Sequence, residues 1–186
     1  MLSFWEKNSF LSYDYIIIGA GLVGLSTAIN LKERHPECSV LLLEAGFFPS
    51  GASTKNAGFA CFGSLTELLS DLTVMSESET AKLVEDRWKG LQKLKNRLGN
   101  NQIGYIRHGG YEVLTDNQLE ALEHLDRVNQ IIQPIFGSEV FSLKPEDIKP
   151  FGFDGKVVKE LVYNQFEAQI DTGQMMQSLI QFATHL

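Results

Sequence analysis

The chain has 186 residues, enough to bury a sizeable core, and its 44% apolar and 21% charged residues are ordinary for a globular protein. A net charge of −7 gives no support for binding nucleic acid or an anionic membrane. No apolar run approaches the roughly 18 residues of a membrane span. Cys38 and Cys61 are too far apart for a disulfide framework or a redox pair, so a reducing, cytoplasmic setting is the expectation.

The first fifteen residues carry Glu6 and Asp14 and lack a basic start followed by an apolar block, so they do not read as a secretory signal. The run Tyr15-Ile16-Ile17-Ile18 then predicts a strand, and Gly19-Ala20-Gly21-Leu22-Val23-Gly24 a glycine turn that opens a helix. Leu22, Leu25 and Ile29 recur at helical spacing until His35-Pro36 stops the pattern. Val40-Leu41-Leu42-Leu43 reads as a second, parallel strand buried on both faces, closed by Glu44.

Each residue type in this unit has a physical task. Gly19 permits the tight turn, Gly21 lets a pyrophosphate approach the backbone, and Gly24 lets helix pack on strand. The first N–H groups of the helix and its positive end face an anion. Glu44, 20 residues beyond Gly24, can accept hydrogen bonds from ribose hydroxyls, which favours FAD or NAD over NADP. The alternative is a strand–helix–strand unit whose glycines serve packing alone.

Residues 45–58 form a loop rich in small and hydroxyl residues, long for a connection of this kind. It is either a second contact zone for phosphates or a plain surface loop. Beyond it, Ser64-x-x-Glu67 and Ser76-x-x-Glu79 predict capped helices. The second carries Val84, Trp88, Leu91, Leu94 and Leu98 on one face and ends at Gly99. A β segment is expected over 103–114, with a bulge or turn at Gly109-Gly110. Thr115-x-x-Gln118 then starts a helix through Leu119, Leu122, Leu125 and Ile132 that Pro134 ends. A strand over 156–164 follows, and Asp171 caps a last helix with Met175, Met176, Leu179 and Ile180 that runs to the chain end. Two parallel strands leave the sheet unfinished, so the remainder is expected from a partner chain or a longer polypeptide. His35, His108, His124 and His185 show no ligand spacing, and no metal is expected.

Three stretches together resemble the N-terminal half of the D-amino-acid oxidase-like flavoproteins, a family that includes glycine oxidase, sarcosine oxidase and D-amino-acid dehydrogenase. They are residues 13–24, then Leu43-Glu44-Ala45-Gly46, then Gly51-Ala52-Ser53-Thr54-Lys55-Asn56-Ala57-Gly58-Phe59. The resemblance implies an α/β fold: an incomplete Rossmann-like FAD-binding domain with an inserted α+β substrate domain. Its segments would be 1–62 and 165–186 for FAD binding and 63–164 for substrate. It further implies that Gly19, Ala20, Gly21 and Val23 line the pyrophosphate, with Gly24 packing behind them and Glu44 on the ribose. Ser53, Thr54, Asn56, Ala57 and Gly58 would lie along the pyrophosphate and flavin ring. Many relatives carry Gly-Arg where this chain has Thr54-Lys55, which leaves the role of Lys55 open.

The implied reaction is oxidation of the C–N bond of an amine or amino acid, a small-molecule substrate, by hydride transfer to flavin. No catalytic acid or base is assigned. Arg107, His108 and Tyr111 are candidates for a substrate pocket. Two alternatives accompany this reading: a catalytically inert truncated FAD-binding fragment, and an NAD-dependent dehydrogenase.

Overall fold

The computed structural model describes residues 1–186. The chain divides into two units, one of Met1–Gly58, Leu98–Gly104 and Asp171–Leu186, the other of Phe59–Arg97 and Tyr105–Ile170. The chain thus changes unit after 58, 97, 104 and 170, the outer two standing near the 62 and 164 expected. The reason for the offset is a short antiparallel pairing of β3 (Phe59–Ala60) with β7 (Ala168–Gln169), which draws both segments into the second unit.

The first unit opens with α1 (Phe4–Phe10), a helix the sequence reading did not place. Ser3 and Glu6 cap it reciprocally: the Ser3 N–H donates to Glu6 Oε2 at 2.7 Å and the Glu6 N–H to Ser3 Oγ at 3.2 Å. β1 (Tyr15–Ile18), α2 (Leu22–Arg34) and β2 (Val40–Leu43) follow as expected, the strands parallel and in register from Tyr15↔Val40 to Ile18↔Leu43. α6 (Thr172–Thr184) packs on α2, where Leu25, Ala28 and Ile29 are buried, and buries its own Met175, Met176 and Leu179. Asp171 caps α6 by accepting the Gln174 N–H at 2.9 Å. The helix ends at Thr184 with His185 as its cap, short of the chain end expected for it. Two hydrogen bonds tie Leu98–Gly104 to this helix, Asp171 N–H to Ile103 O (3.0 Å) and Ser178 Oγ to Gln102 O (2.9 Å).

One expectation is overturned here. β2 is expected to be buried on both faces, yet Val40, Leu41 and Leu42 are only half-buried and Leu43 is 47% exposed; on its neighbour β1, Ile16 is 58% and Ile18 87% exposed. Alternation along a strand explains it. Ile17 points at α2, which covers one face, while Ile16 and Ile18 point away from it into solvent.

The second unit holds α3 (Leu65–Asp71), α4 (Glu77–Leu98, all but its last residue), α5 (Leu125–Phe136) and a three-stranded antiparallel sheet. Its strands are β4 (Gly110–Leu114), β5 (Phe141–Leu143) and β6 (Glu160–Asn164), in the order β4-β6-β5. Both expected capping boxes are present. Phe62, Leu65, Leu68, Val84, Leu114, Val128, Ile132 and Phe141 form the core, flanked by an aromatic group of Phe62, Trp88, Phe136 and Phe166.

Three element boundaries differ from expectation. Residues 101–103 are a 3₁₀ turn, and the strand begins only at Gly110, after Gly109 takes φ +78°. Strand β6 begins at Glu160, after a turn over residues 155–157. The helix foreseen from Thr115 is 3₁₀ over Asp116–His124 before becoming α5, and Pro134 does not end it. Proline forfeits one hydrogen bond to the preceding turn, but only two residues of helix remain. Phe136 packs in the aromatic group, and Gly137 at φ +74° closes the helix by donating to Gln133 O at 2.8 Å.

Candidate functional site

The glycine turn between β1 and α2 is built as its sequence requires. Gly19 sits at φ +98°, a conformation side chains disfavour, and its N–H reaches back to Leu43 O at 2.7 Å. A Cβ on Gly24 would overlap the Gly19 carbonyl oxygen and lie 3.4 Å from Ile17 Cγ2, so only glycine lets α2 approach β1 this closely. Gly21 is the N-cap of α2 and offers no side chain to its free N–H groups; the first turn also has no acidic residue. That end of the helix is therefore electropositive and open to an anion.

Two side chains converge on it. Ser53 Oγ accepts the Leu22 N–H at 2.9 Å, and Glu44 Oε2 accepts the Ala20 N–H at 2.9 Å. Glu44 Oε1 takes the Gly46 N–H at 3.2 Å. The Ala20 amide, followed by that of Gly46, holds the Glu44 carboxyl below the usual carboxylate range, so it is ionised at neutral pH. A Cβ on Gly21 would stand 3.1 Å from Ser53 Oγ, so the missing side chain is what admits an acceptor oxygen to this spot.

The remaining loop residues fix the loop's shape. Thr54 Oγ1 donates to Pro49 O (3.0 Å) and Gly51 O (3.2 Å). Asn56 is used at both ends of its amide: Nδ2 donates to Ala52 O and Ser53 O, while Oδ1 accepts the Gly58 N–H at 3.0 Å. Gly58 is buried at φ +75°, whereas Ala57 and Lys55 are exposed. Thr172, at the start of α6, donates its hydroxyl to Thr54 O at 3.5 Å, a tether no sequence signal marks.

The structure thus brings Gly19, Ala20, Gly21, Gly24, Glu44 and Ser53 together. Val23 lies one residue into α2, 80% exposed. Thr54 and Asn56 spend their side chains inside the loop. A cavity of about 630 Å³ in this unit lies beside this cluster and is mostly apolar; of the expected residues only Ala20 and Glu44 line it.

In the second unit the three candidate pocket residues separate. Tyr111 is on β4, and its hydroxyl donates to Asp147 Oδ2 at 2.8 Å; that bond to a carboxylate pushes its pKa up to about 12. Tyr111 and His108 both line a cavity of about 400 Å³. Arg107 does not: its Nε donates to Gln165 O at 3.0 Å and its guanidinium stacks over Phe166. Cys38 and Cys61 are both free thiols, and no helix is long and apolar enough to cross a membrane.

The turn thus presents an N-cap without a side chain at Gly21, an ionised carboxylate at the end of β2, and the Ser53 hydroxyl on the Leu22 N–H. Comparison with known proteins gives the family. The model of the DAO family, FAD dependent oxidoreductase, matches residues 14–186. Gamma-glutamylputrescine oxidoreductase of Escherichia coli (strain K12) is 29% identical over 122 residues, covering 62% of this chain and 27% of that protein. The fold is similar to glycine oxidase from Geobacillus kaustophilus (TM-score 0.58, 21% identity, 92% of this chain and 44% of that one). It is also similar to iminodiacetate oxidase from Chelativorans sp. BNC1 (TM-score 0.63, 20% identity, 92% and 44%). The chain spans less than half the length of each of these proteins.

Proposed function

The chain belongs to the DAO family of FAD-dependent oxidoreductases, and we propose that it forms the ADP-holding part of an enzyme oxidising the C–N bond of a small amine or amino acid. The observation that carries this reading is the convergence of Ser53 and Glu44 on the bare N-terminus of α2. Gly19, Ala20, Gly21 and Val23 would line the pyrophosphate, with Ser53 yielding the Leu22 N–H to a phosphate oxygen. Glu44, kept ionised by the Ala20 and Gly46 amides, would accept from the adenosine ribose. Thr54, Asn56, Ala57 and Gly58 would hold the loop along the flavin, the Asn56 clamp setting the Gly58 backbone. FAD held there would supply the hydride-accepting chemistry for the substrate's C–N bond, while the residues named above would bind and orient it. The protein's share is position and electrostatics. A cytoplasmic setting, suggested by two unpaired cysteines, completes the reading.

The FAD family match leaves the nicotinamide alternative without support. The test is titration of the purified chain with FAD, followed by flavin fluorescence, beside the Gly24→Val variant. The parent should take up FAD. The variant should lose it, because its side chain drives α2 off β1 at a cost of about 1–3 kcal/mol or more. A parent chain that stays colourless and leaves added FAD unquenched would overturn the reading.

A further inference from the structure

The cavity of about 400 Å³ in the second unit has a consistent electrostatic character. Phe59, Tyr111, Phe141 and Val162 supply apolar and aromatic wall. The charged side chains on it are Glu67, Glu112 and Glu167; no lysine or arginine lines it. Two of the carboxylates have work in the fold. Glu67 caps α3 through the Ser64 N–H, and Glu112 accepts from the Ser64 hydroxyl and from the Thr66 N–H and hydroxyl.

Glu167 is different. It stands in the turn from β6 to β7, and Asn164 Nδ2 donates to its Oε1 at 3.2 Å. No donor reaches Oε2. The carboxyl lies over β4 where Gly110 has no side chain, and a Cβ there would overlap Oε2. Gly109-Gly110 thus leaves room for a half-buried carboxylate whose second oxygen has no protein donor and faces the cavity's solvent.

We propose that this cavity binds a cationic amine and that the Glu167 carboxylate supplies its counter-charge. An anionic ligand would meet three carboxylates without one fixed cation. A neutral apolar ligand would leave Oε2 desolvated and unpaired, which is costly. A protonated amine resolves both: an N⁺–H bonds Oε2, and the aromatic walls attract the charge through their faces. The volume accommodates a ligand of several carbons. The proposal rests on the reading of the chain as an amine or amino-acid oxidoreductase. It narrows the substrate class to amines whose charge is not balanced by a carboxylate held in this cavity.

The groups facing Glu167 set the pH behaviour. Burial pushes its carboxyl up to about 7, the Asn164 amide draws it down, and the charges of Glu67 on α3 and Glu112 on β4 raise it further. His108, Tyr111 and Cys61 are the other titratable side chains on the cavity. A cation favours the ionised form, so binding weakens as pH falls through about 7.

The test is isothermal titration of the full chain with 1,4-diaminobutane and, separately, with glutarate, at about pH 8 and about pH 6. The diamine should bind and the dicarboxylate should not. Affinity should fall several-fold at the lower pH and by at least about tenfold in Glu167→Gln. Gly110→Ala, which pushes a methyl group into the space of Oε2, should weaken the diamine in the same direction while leaving glutarate unbound. Tighter binding of glutarate, or a Glu167→Gln variant that keeps the parent's diamine affinity, overturns the proposal. FAD titration in parallel separates the two readings. A parent that takes up FAD but no diamine refutes the cavity alone, whereas one that binds diamine through Glu167 but no FAD refutes the flavoenzyme reading alone.

Discussion

Replacing Glu167 by Gln removes a charge that the folded chain holds at a cost, and the cost follows from the structure. Burial raises the carboxyl from its ordinary value near 4.5 to about 7. Each tenfold change in proton affinity is about 1.4 kcal/mol, so ionising this group in the folded state costs about 3 kcal/mol before screening. Solvent reaches the side chain, which lowers the figure to about 2 kcal/mol. The folded state binds the proton more tightly than the unfolded state. Stability is therefore intact below about pH 4.5, declines as pH rises towards about 7, and stays reduced above it. Glu167→Gln has no such decline, and its amide oxygen can still accept from Asn164. The variant should match the parent within about 0.5 kcal/mol at about pH 4.5. At about pH 8 it should exceed the parent by about 2 kcal/mol, or roughly 4–8 °C in melting temperature for a chain of this size. Trp88 reports the relevant unit, since it packs against Phe62, Phe136 and Phe166. A Trp5→Phe background leaves it as the single indole. Equal pH dependence of parent and variant would refute the burial of Glu167 as described.

Two further variants address the fold around each site. Ser53→Ala removes the acceptor for the Leu22 N–H; amide hydrogen exchange at Leu22 should accelerate in the FAD-free chain, with a stability loss of about 1 kcal/mol. Unchanged protection at Leu22 would mean that Ser53 does not hold the end of α2. Asn129→Ala strips partners from the N–H groups of Val140 and Phe141 and from the Phe141 carbonyl, all buried. A loss of about 3 kcal/mol in urea denaturation is expected, and a loss under about 1 kcal/mol would show that water replaces the amide.

What could be read from sequence divides by the range of the forces involved. The β1–α2–β2 unit, the capping boxes at Ser64 and Ser76 and the Asp171 cap were legible because each is written within a few residues. Elements decided by packing were not. The Pro134 rule was outweighed by Phe136 reaching an aromatic group whose other members lie at 62, 88 and 166. The strand expected from 103 lost its first seven residues because Gly109 breaks the backbone direction just before β4. The uninterrupted apolar run of β2 announced two buried faces, yet its first three residues are only half-buried and Leu43 is exposed.

The same division runs through the candidate site. Glycine spacing disclosed which backbone must be bare, since a Cβ at Gly24 or Gly21 meets atoms of the same small unit or of its loop. It could not disclose what fills the space. Composition alone left the 45–58 loop undecided between contact zone and surface connection. Only its folded course, pinned by Thr54 and Asn56 and tethered at Thr172, delivers Ser53 across 31 residues to the Leu22 N–H. A hydroxyl in that place satisfies an otherwise unpaired donor at a positive helix end without bringing a charge there. It stabilises the empty turn by about 1 kcal/mol, whereas charge-assisted bonds are roughly twice as strong as neutral ones. On the proposed reading, a phosphate oxygen would therefore compete with Ser53 for that N–H. The loop keeps the helix end capped and still leaves it exchangeable, which a carboxylate at position 53 would not.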